Sequence, residues 1–508
     1  MISNFFELFE ENYSSNPDKI ALVFNPESNA KSYTFKQIYE KVAIIQYQIR
    51  AQGVKKNSKV LMLSEPSPDF YFFSLALIAL GATPVFIEAK KEDIFRRLLA
   101  TSSDFLFVNN KTKKLKFIFP FLWNKQAFTF TKTSFGFTSI KTDLNSKDQV
   151  TPPKVLISSM KPSDPFLISF TTGSTGTPKA ADRNYFVSYY QHCASMKYWH
   201  HEDSDVDLTF FPNILFQNLC SGVTTLIPKM LVKDLSDIPF DKFSDVIRKY
   251  NVTRISAPPG YLNQLCNKIN EPLESISKVI TGGAPVDKAL ATKVLEKFPK
   301  ADSNVVYGST EAEPIAFKDL YSIANVEKEG FLVGKPIDEI KVLISNPIAK
   351  NIETCSTGEI LISGKHVVQK YINSDLDNKE FKIKDKNGII WHRTGDIGYL
   401  NSEDEIVLLG RKSHCLASKK GEQYSLNLEN KFNRSLPSGS RCALIQKDAK
   451  TILVIEHEEE NEIIILANSF MSEYFNDFKI FFISKIPVDF RHHWKVNYSS
   501  LKSELPAI

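Results

Sequence analysis

Residues 170–179 read FTTGSTGTPK, and the stretch that leads into them, residues 166–170, reads FLISF. The short apolar run predicts a buried strand, and the change to threonine, glycine and serine predicts a loop at its end. In such a loop glycines let backbone N–H groups turn toward an anion, hydroxyl groups add donors, and Lys179 adds a positive charge. The stretch therefore predicts a phosphate-binding loop, and the structural alternative is a Ser/Thr-rich surface turn.

This loop differs from the phosphate loop of the Walker A type. In that motif a glycine stands directly before the lysine and a serine or threonine directly after it. Here Pro178 precedes Lys179 and Ala180 follows it. The sequence therefore predicts a different class of nucleotide site.

Helical and strand patterns alternate through the first part of the chain, to about residue 280. Such alternation favours an α/β fold with largely parallel sheets. Apolar spacing predicts helices over 5–13, 34–52 and 71–80, with Gly81 just past the third helix, and strands over 59–64 and 83–87.

The pattern changes to shorter strands after residue 332. We expect a small barrel-like sheet there, followed by a small α+β unit that begins near Gly410. Strands are predicted over 340–344, 359–363, 405–409, 443–446, 452–456 and 479–483, and a helix over 462–474. The predicted domains are therefore 1–409 and 410–508.

Composition excludes several classes of function. The 508 residues are 43% apolar and 24% charged, and the net charge of +5 is spread along the chain, which argues against a nucleic-acid partner. Six widely spaced cysteines without a Cys-x-x-Cys pair argue against a zinc site or a disulfide framework and suit a reducing compartment. Acidic residues near the N-terminus are untypical of a signal peptide, so we expect a cytoplasmic protein.

Residues 70–87 carry no charge and need separate consideration as a membrane span. Gly81 and Pro84 lie inside the stretch, and such residues interrupt a spanning helix. We therefore expect a buried helix and strand instead. Peripheral contact with a membrane stays open, because a fatty substrate would partition there.

Four further stretches extend the argument from the loop. Residues 307–311 read YGSTE, residues 392–399 read HRTGDIGY, residues 410–412 read GRK, and residues 487–489 read PVD ahead of Lys495. Together with the loop they resemble the adenylate-forming superfamily of acyl-CoA synthetases, fatty acyl-AMP ligases, luciferases and adenylation domains. The resemblance extends from about Phe5 to Lys502 and implies a large N-terminal domain and a small mobile C-terminal one.

The resemblance implies ATP, Mg²⁺ and coenzyme A as cofactors and assigns residues to them. Lys495, Thr310 and Glu311 would be catalytic, with Lys495 entering the site when the small domain closes. Glu311 and Thr171 would hold Mg²⁺. Thr310 would contact the α-phosphate, Tyr307 would stack on adenine, Asp396 would hold both ribose hydroxyls, and Arg411 would reach the ribose or a phosphate. The remaining nucleotide-binding residues would be Thr171, Thr172, Gly173, Ser174, Thr175, Gly176 and Lys179 in the loop, Gly282, Gly283 and Ala284 beside the adenine and the acyl slot, and Gly308 and Ser309 in the motif of Tyr307.

The C-terminal motif departs from the usual pattern of the superfamily. Trp494 rather than glycine precedes Lys495, Ser413 stands at the usual hinge position, and residues 424–429 lack the familiar proline-led motif. The ending from Pro487 to Lys495 is similar to β-lactone synthetases of bacterial olefin biosynthesis and related fatty-acid ligases. We expect His492 and His493 to be surface histidines, and the alternative is that they carry protons near the site.

The sequence predicts an enzyme that adenylates a medium- or long-chain fatty acid and passes the acyl group to coenzyme A. Residues 210–218 are rich in apolar and aromatic side chains and lack an acidic residue that could pair with a substrate ammonium, although ordinary core packing would explain them as well. Three alternatives remain. They are lactone closure on a β-hydroxy fatty acid, transfer to an acyl carrier protein, and a degenerate nucleotide or acyl sensor, which Ala180 and Ser413 suggest.

Overall fold

The computed structural model describes residues 3–87, 101–131, 135–142, 153–171, 179–230, 232–325, 329–437, 439–447, 450–489 and 492–505. Its strands, in chain order, are β1 Ile20–Phe24, β2 Lys31–Thr34, β3 Lys59–Leu63, β4 Thr83–Phe86, β5 Phe105–Val108, β6 Gln126–Thr129, β7 Thr138–Ser139, β8 Pro165–Thr171, β9 Lys179–Asn184, β10 Val206–Thr209, β11 Thr224–Ile227, β12 Arg254–Ala257, β13 Lys278–Gly282, β14 Asp302–Ser309, β15 Ala312–Asp319, β16 Phe331–Pro336, β17 Ile340–Ser345, β18 Gly358–Gly364, β19 Lys382–Lys384, β20 Ile390–Leu400, β21 Ile406–Arg411, β22 Cys415–Ser418, β23 Gly421–Tyr424, β24 Arg441–Lys447, β25 Lys450–Glu456 and β26 Phe478–Ile483.

The helices pack on the faces of these sheets. They are α1 Phe6–Ser15, α2 Phe35–Ala51, α3 Pro68–Leu80, α4 Leu115–Ile118, α5 Tyr185–Tyr198, α6 Ile214–Cys220, α7 Phe243–Lys249, α8 Pro259–Lys268, α9 Lys288–Lys297, α10 Leu320–Asn325, α11 Asp375–Phe381, α12 Ser425–Asn433, α13 Asn461–Tyr474 and α14 Tyr498–Glu504.

Local sequence explains where helix α3 begins and ends. The Ser67 hydroxyl accepts a hydrogen bond from the Phe70 amide, Pro68 occupies the first turn, and Gly81 ends the helix with φ 72°. Residues 70–80 are all buried, so α3 is a core helix. This confirms the prediction of a buried helix followed by strand β4. Within the described residues, helices that combine enough length and hydrophobicity to cross a bilayer are absent.

The first sheet carries the predicted phosphate loop at its edge. Its strand order is β7-β6-β5-β3-β4-β8-β9, and all neighbours are parallel except β8 and β9. Ile168 is fully buried in β8, which confirms the predicted strand ahead of the loop. Residues 172–178, which join β8 to β9, lie outside the described residues.

The second sheet has 14 strands among the described residues, and its middle is parallel. Strands β11, β10, β12, β13 and β14 run in one direction, so their carboxyl ends meet at one edge. Strand β15 then turns back on β14, and β16 connects to β21, β20, β18 and β17. The strands expected for a separate barrel-like sheet therefore extend the large sheet. Gly282 and Tyr307 lie at the carboxyl edge, where ligands of open α/β sheets bind.

The C-terminal part has a small core of its own. Strands β24, β25 and β26 form one sheet, and β22 and β23 form a hairpin. The apolar cluster of this part includes Leu416, Leu428 and Met471. Strand β21 continues to Arg411, so Arg411 is held by the large sheet although it was expected to open the C-terminal unit.

Candidate functional site

The Asp396 carboxylate lies between two side chains that the sequence predicts for nucleotide binding. The Tyr307 hydroxyl donates to Oδ2 at 2.7 Å, and Arg411 Nε lies 2.9 Å from Oδ1. Arg411 also donates through Nη1 to the Thr394 carbonyl oxygen at 2.8 Å. Burial and the neighbouring Asp396 carboxylate raise the pKa of Tyr307 above its usual value, so the phenol is neutral.

The turn before Asp396 is built by its own sequence. Gly395 has φ 73°, a conformation that glycine adopts at little cost. The Gly395 amide donates to the buried Glu359 carboxylate at 3.3 Å, and the Asp396 amide donates to the Thr394 hydroxyl at 3.0 Å. Pairing of Asp396 with Arg411 across β20 and β21 completes the arrangement. The geometry fixes a carboxylate whose oxygens face two donors.

Glu311 lies in a second, more buried group. The Tyr371 hydroxyl donates to Glu311 Oε1 at 2.6 Å, and the Glu311 carbonyl oxygen accepts from the Val368 amide at 2.7 Å. Lys382 donates its ammonium hydrogen to the Val368 carbonyl oxygen. Burial lowers the pKa of Lys382 to about 7 and that of the neighbouring His392 to about 3, which leaves His392 neutral. Lys382 thus partly neutralises the Glu311 charge.

Lys179 is the part of the predicted phosphate loop that the structure describes with its side chain. Its ammonium lies 3.3 Å from the centroid of the Phe381 ring and 3.8 Å from Asp377 Oδ1. The residue is 4% exposed, and burial lowers its pKa. Thr171 ends β8 and pairs with Lys179. The predicted residues outside the described ranges are Thr172, Gly173, Ser174, Thr175 and Gly176.

Arg183 positions Thr310. Its Nε and Nη2 donate to the Thr310 carbonyl oxygen at 3.2 and 2.8 Å. A Cβ atom on Gly308 would lie 3.2 Å from Glu313 Cγ, so Gly308 allows that side chain to pack close to the strand. The hydroxyl of Ser309 is buried and has no hydrogen-bond partner among the described residues. A buried donor of this kind is suited to a bound polar ligand.

Sequence reasoning missed several side chains of the site. They are Arg183, Glu359, Tyr371, Phe381 and Lys382. Tyr371 belongs to no motif that a single sequence reveals, and it reaches Glu311 across 60 positions of the chain. Arg393, Thr394 and Gly395 belong to a recognised motif. No feature of the neighbouring sequence indicated that the Glu359 carboxylate would accept hydrogen bonds from Arg393 and Gly395.

Lys495 lies in a tight loop at the C-terminal end. Its carbonyl oxygen accepts from the Asp489 amide at 2.8 Å, and the Asp489 carbonyl oxygen accepts from the His493 amide at 2.8 Å. Burial, followed by the charges of Lys495 and Arg411, lowers the pKa of His414 to about 4. His414 therefore lies within electrostatic range of both cationic side chains.

This loop packs directly on the N-terminal part of the chain. A Cβ atom on Gly260 would lie 2.5 Å from the carbonyl oxygens of both His492 and His493, and one on Gly283 would lie 2.6 Å from the His492 ring. His493 Nε2 lies 3.0 Å from the Val232 carbonyl oxygen, and Trp494 packs against the apolar cluster below α8. The expectation that both histidines lie on the surface is therefore wrong, because tertiary docking buries much of each ring.

The predicted acyl-binding segment is mostly packed in the core. Phe210 is 2% exposed and contacts the rings of Phe240, Phe243 and Tyr261. Phe216 is only partly buried, and its ring contacts Tyr71 and Phe86. The core-packing interpretation therefore holds for Phe210, whereas the position of Phe216 is compatible with a pocket wall.

Among the described residues, groups of three or more acidic, histidine or cysteine side chains that would hold a metal alone are absent. The carboxylate that the sequence predicts for the metal, Glu311, is buried. Mg²⁺ commonly takes one or two protein carboxylates and completes its shell with substrate phosphates and water. Glu311 therefore fits a magnesium ion that arrives with ATP.

Comparison with known proteins extends these observations. A family model described as AMP-binding enzyme matches residues 9–372. The chain is 25% identical to the olefin β-lactone synthetase of Stenotrophomonas maltophilia over 77% of this chain and 74% of that protein. It is 24% identical to the 2-succinylbenzoate–CoA ligase of Bacillus subtilis over 82% of this chain and 79% of that protein. The O-succinylbenzoate coenzyme A synthetase of Bacillus subtilis, solved in complex with ATP and magnesium ion, has the same fold, with a TM-score of 0.76 and 20% identity over 97% of this chain and 99% of that chain.

Proposed function

The chain belongs to the AMP-binding enzyme family, and we propose that it uses Mg-ATP to adenylate a medium- or long-chain fatty acid, releases pyrophosphate and transfers the acyl group to coenzyme A. Its class is that of the adenylate-forming enzymes of acid–thiol ligase type. In the proposal residues 1–409 bind ATP and the acid, residues 410–508 bring Lys495, and the enzyme acts in the cytoplasm.

The observation that carries the proposal is the position of Asp396 between Tyr307 and Arg411. A carboxylate accepts two O–H donors at once, which suits the vicinal diol of a ribose. The Tyr307 ring stands at the carboxyl edge of the sheet, one residue after Val306, which pairs with Gly282. Glu311 would hold the magnesium ion, and Ser309, whose hydroxyl has no hydrogen-bond partner in the described part of the chain, is two residues before it.

Charge explains why two lysines are needed. Bringing a carboxylate to 4 Å from a phosphate opposes two negative charges, at a cost of about 4 kcal/mol for an effective dielectric of 20. Lys179 offsets charge on the β- and γ-phosphates, and Lys495 offsets charge on the attacking carboxylate and the α-phosphate. Magnesium, when bound, supplies further neutralisation of the phosphates.

A fatty acid is proposed because the segment around Phe216 offers aromatic and apolar contacts and no carboxylate for a substrate ammonium. The named relatives include ligases of an aromatic acid, and this leaves aromatic acids as the competing substrate class. The proposed substrate has an acyl chain of medium or long length.

A second candidate is closure of a β-lactone on a β-hydroxy fatty acid. It is favoured by the similarity to an olefin β-lactone synthetase and by the docking of His492 and His493 on Gly260. An acyl carrier protein is the remaining candidate for the acyl acceptor.

The test is pyrophosphate release from purified protein, Mg-ATP and a panel of fatty, β-hydroxy fatty and aromatic acids, with products identified by mass spectrometry. We expect a single-turnover burst with fatty acids that coenzyme A converts to steady turnover. Replacement of Lys495 by alanine should slow the burst about 10²–10³-fold, as loss of a preorganised charge donor does. ATP binding without release from any acid would contradict the proposal and favour a sensor, and a burst restricted to aromatic acids would exclude the fatty substrate.

A further inference from the structure

The His492 ring packs against Gly283, a residue that the proposed function places beside the acyl slot. His492 Nδ1 lies 2.9 Å from Asp489 Oδ1, and its Cδ2–Nε2 edge faces Gly283 so closely that a Cβ there would be 2.6 Å away. Its side chain is 22% exposed. Gly283 belongs to the turn that the proposed function gives to the acyl slot. In the proposed function the ring therefore lies beside the acyl slot.

The hydrogen bond to Asp489 fixes the protonation of the neutral ring. A carboxylate only accepts, so Nδ1 carries the hydrogen and Nε2 keeps its lone pair. The Asp489 carboxylate, which accepts from Nδ1, stabilises the imidazolium that forms when Nε2 takes a proton.

We propose that Asp489 and His492 are a base pair that activates a hydroxyl group of the bound acyl-adenylate itself, with His492 Nε2 as the proton acceptor and Asp489 as a positioning residue. The inference rests on the proposed adenylation and selects its second candidate, lactone closure, for the following step.

The docking of the loop supports an internal acceptor. Asp489, His492 and Lys495 lie in one short loop, and Gly260 leaves no room beneath it for a side chain. Arg441 Nη2 also holds the Trp494 carbonyl oxygen at 2.8 Å. The base therefore enters the site together with the adenylating lysine. If the acyl group is transferred while the loop stays docked, the group that accepts it must already be in the site. A hydroxyl group on the bound acid meets this requirement.

The step balances without a further reactant. The β-hydroxyl oxygen attacks the carbonyl carbon of the acyl-adenylate as its proton passes to Nε2. The new C–O bond closes the lactone, and the bond between the carbonyl carbon and the phosphate oxygen breaks. AMP leaves with the electron pair, and the imidazolium returns its proton to AMP or water. No electron is gained or lost.

The test separates adenylate formation from its consumption, with β-hydroxydodecanoic acid and dodecanoic acid as probes and no thiol present. For His492→Ala we expect the pyrophosphate burst to persist while conversion of the hydroxyacyl-adenylate to lactone falls about 10²–10⁴-fold. Added imidazole should restore at least about tenfold of that loss, because it replaces the missing base. His200→Asn is the matched control, since His200 is exposed and lies outside the loop; its conversion rate should equal that of the wild type.

The outcomes are distinct. Unchanged lactone formation in His492→Ala overturns the proposal, and so does an equal loss of burst and conversion that imidazole fails to restore. A wild-type enzyme that adenylates both acids but never closes a lactone overturns it while leaving the adenylation intact. A wild-type enzyme that adenylates neither acid contradicts the proposed function instead. If the alanine variant is misfolded by circular dichroism, His492→Gln replaces it under the same criteria.

Discussion

The carbonyl oxygen of His492 lies 2.5 Å from the point where a Cβ atom on Gly260 would be. Contacts this short do not occur, so a side chain at position 260 would force the C-terminal loop away from helix α8. Gly260 is in the first turn of α8, where alanine is the better helix former by about 1 kcal/mol. The substitution should therefore destabilise the docking of the C-terminal loop without destabilising helix α8.

We predict that Gly260→Ala slows acyl-adenylate formation about 10²-fold, because it displaces the loop that carries Lys495 by roughly 1 Å. The unfolding temperature should stay close to that of the wild type. Pre-steady-state pyrophosphate release measures the first quantity and calorimetry the second. Lys268→Ala, an exposed position of the same helix, is the control; equal burst rates in all three proteins would show that the loop does not act in this position.

The nucleotide contacts give a graded prediction. Tyr307→Phe removes one donor from Asp396 and leaves Arg411 in place, so the KM for ATP should rise about 3- to 10-fold, the usual worth of one hydrogen bond. Asp396→Ala removes the carboxylate to which the proposed function assigns both ribose hydroxyls, and it should cost about 10²-fold in kcat/KM for ATP. Tyr399→Phe, on the same strand, is the control. A Tyr307 variant as impaired as the Asp396 variant would mean that the tyrosine acts through more than this hydrogen bond.

Local signals in the sequence predicted much of the fold. Ser67, Pro68 and Gly81 delimit α3 within a few residues of the expected bounds, and the alternation of helices and strands indicated the α/β class. The apolar runs of the C-terminal unit likewise became β24, β25, β26 and α13 with small shifts at their ends. These elements depend on caps and hydrophobic periodicity, which a single chain displays directly.

The sequence predicted only those site residues that belong to recognised motifs. Tyr307 and Asp396 stood in recognised motifs, and the structure joins them across 89 positions of the chain. Tyr371 and Lys382 stand in none, because their relation to Glu311 arises from sheet pairing far along the chain. His492 was misplaced for a similar reason. The surroundings of His492 are formed by Gly260 and Gly283. The space that these glycines leave by lacking a side chain cannot be recognised from the sequence before the position of His492 is known.

Tyr371 should set the affinity of the site for magnesium. Its hydroxyl orients the Glu311 carboxylate, and loss of a partner that orients a metal-binding carboxylate typically costs 10- to 100-fold in affinity. We therefore expect Tyr371→Phe to raise the Mg²⁺ concentration for half-maximal pyrophosphate release by about tenfold. The stabilisation of the protein by Mg-ATP in a thermal shift titration should move to higher Mg²⁺ in parallel. An unchanged Mg²⁺ dependence in both measurements would assign the metal to a different residue.

Glu429 should make the stability of the C-terminal unit depend on pH. Its carboxyl group is 4% exposed and accepts from the Leu444 amide at 2.7 Å and from the Tyr498 hydroxyl at 2.8 Å.

Burial raises the pKa of Glu429 to about 7, so the folded state holds the proton more tightly than the unfolded state does. The free energy of unfolding therefore falls as the pH rises from about 4.5 to about 7, by an amount on the order of 3 kcal/mol. Glu429→Gln removes this dependence and should be more stable than the wild type at pH 8, with the advantage shrinking toward pH 5. Denaturant titrations at both pH values, with hydrogen exchange followed in β24, measure the difference. Exposed Glu422→Gln should show no such trend, and a stability difference between Glu429→Gln and wild type that is the same at pH 5 and pH 8 would mean that the Glu429 carboxyl is ionised in the folded protein throughout this range.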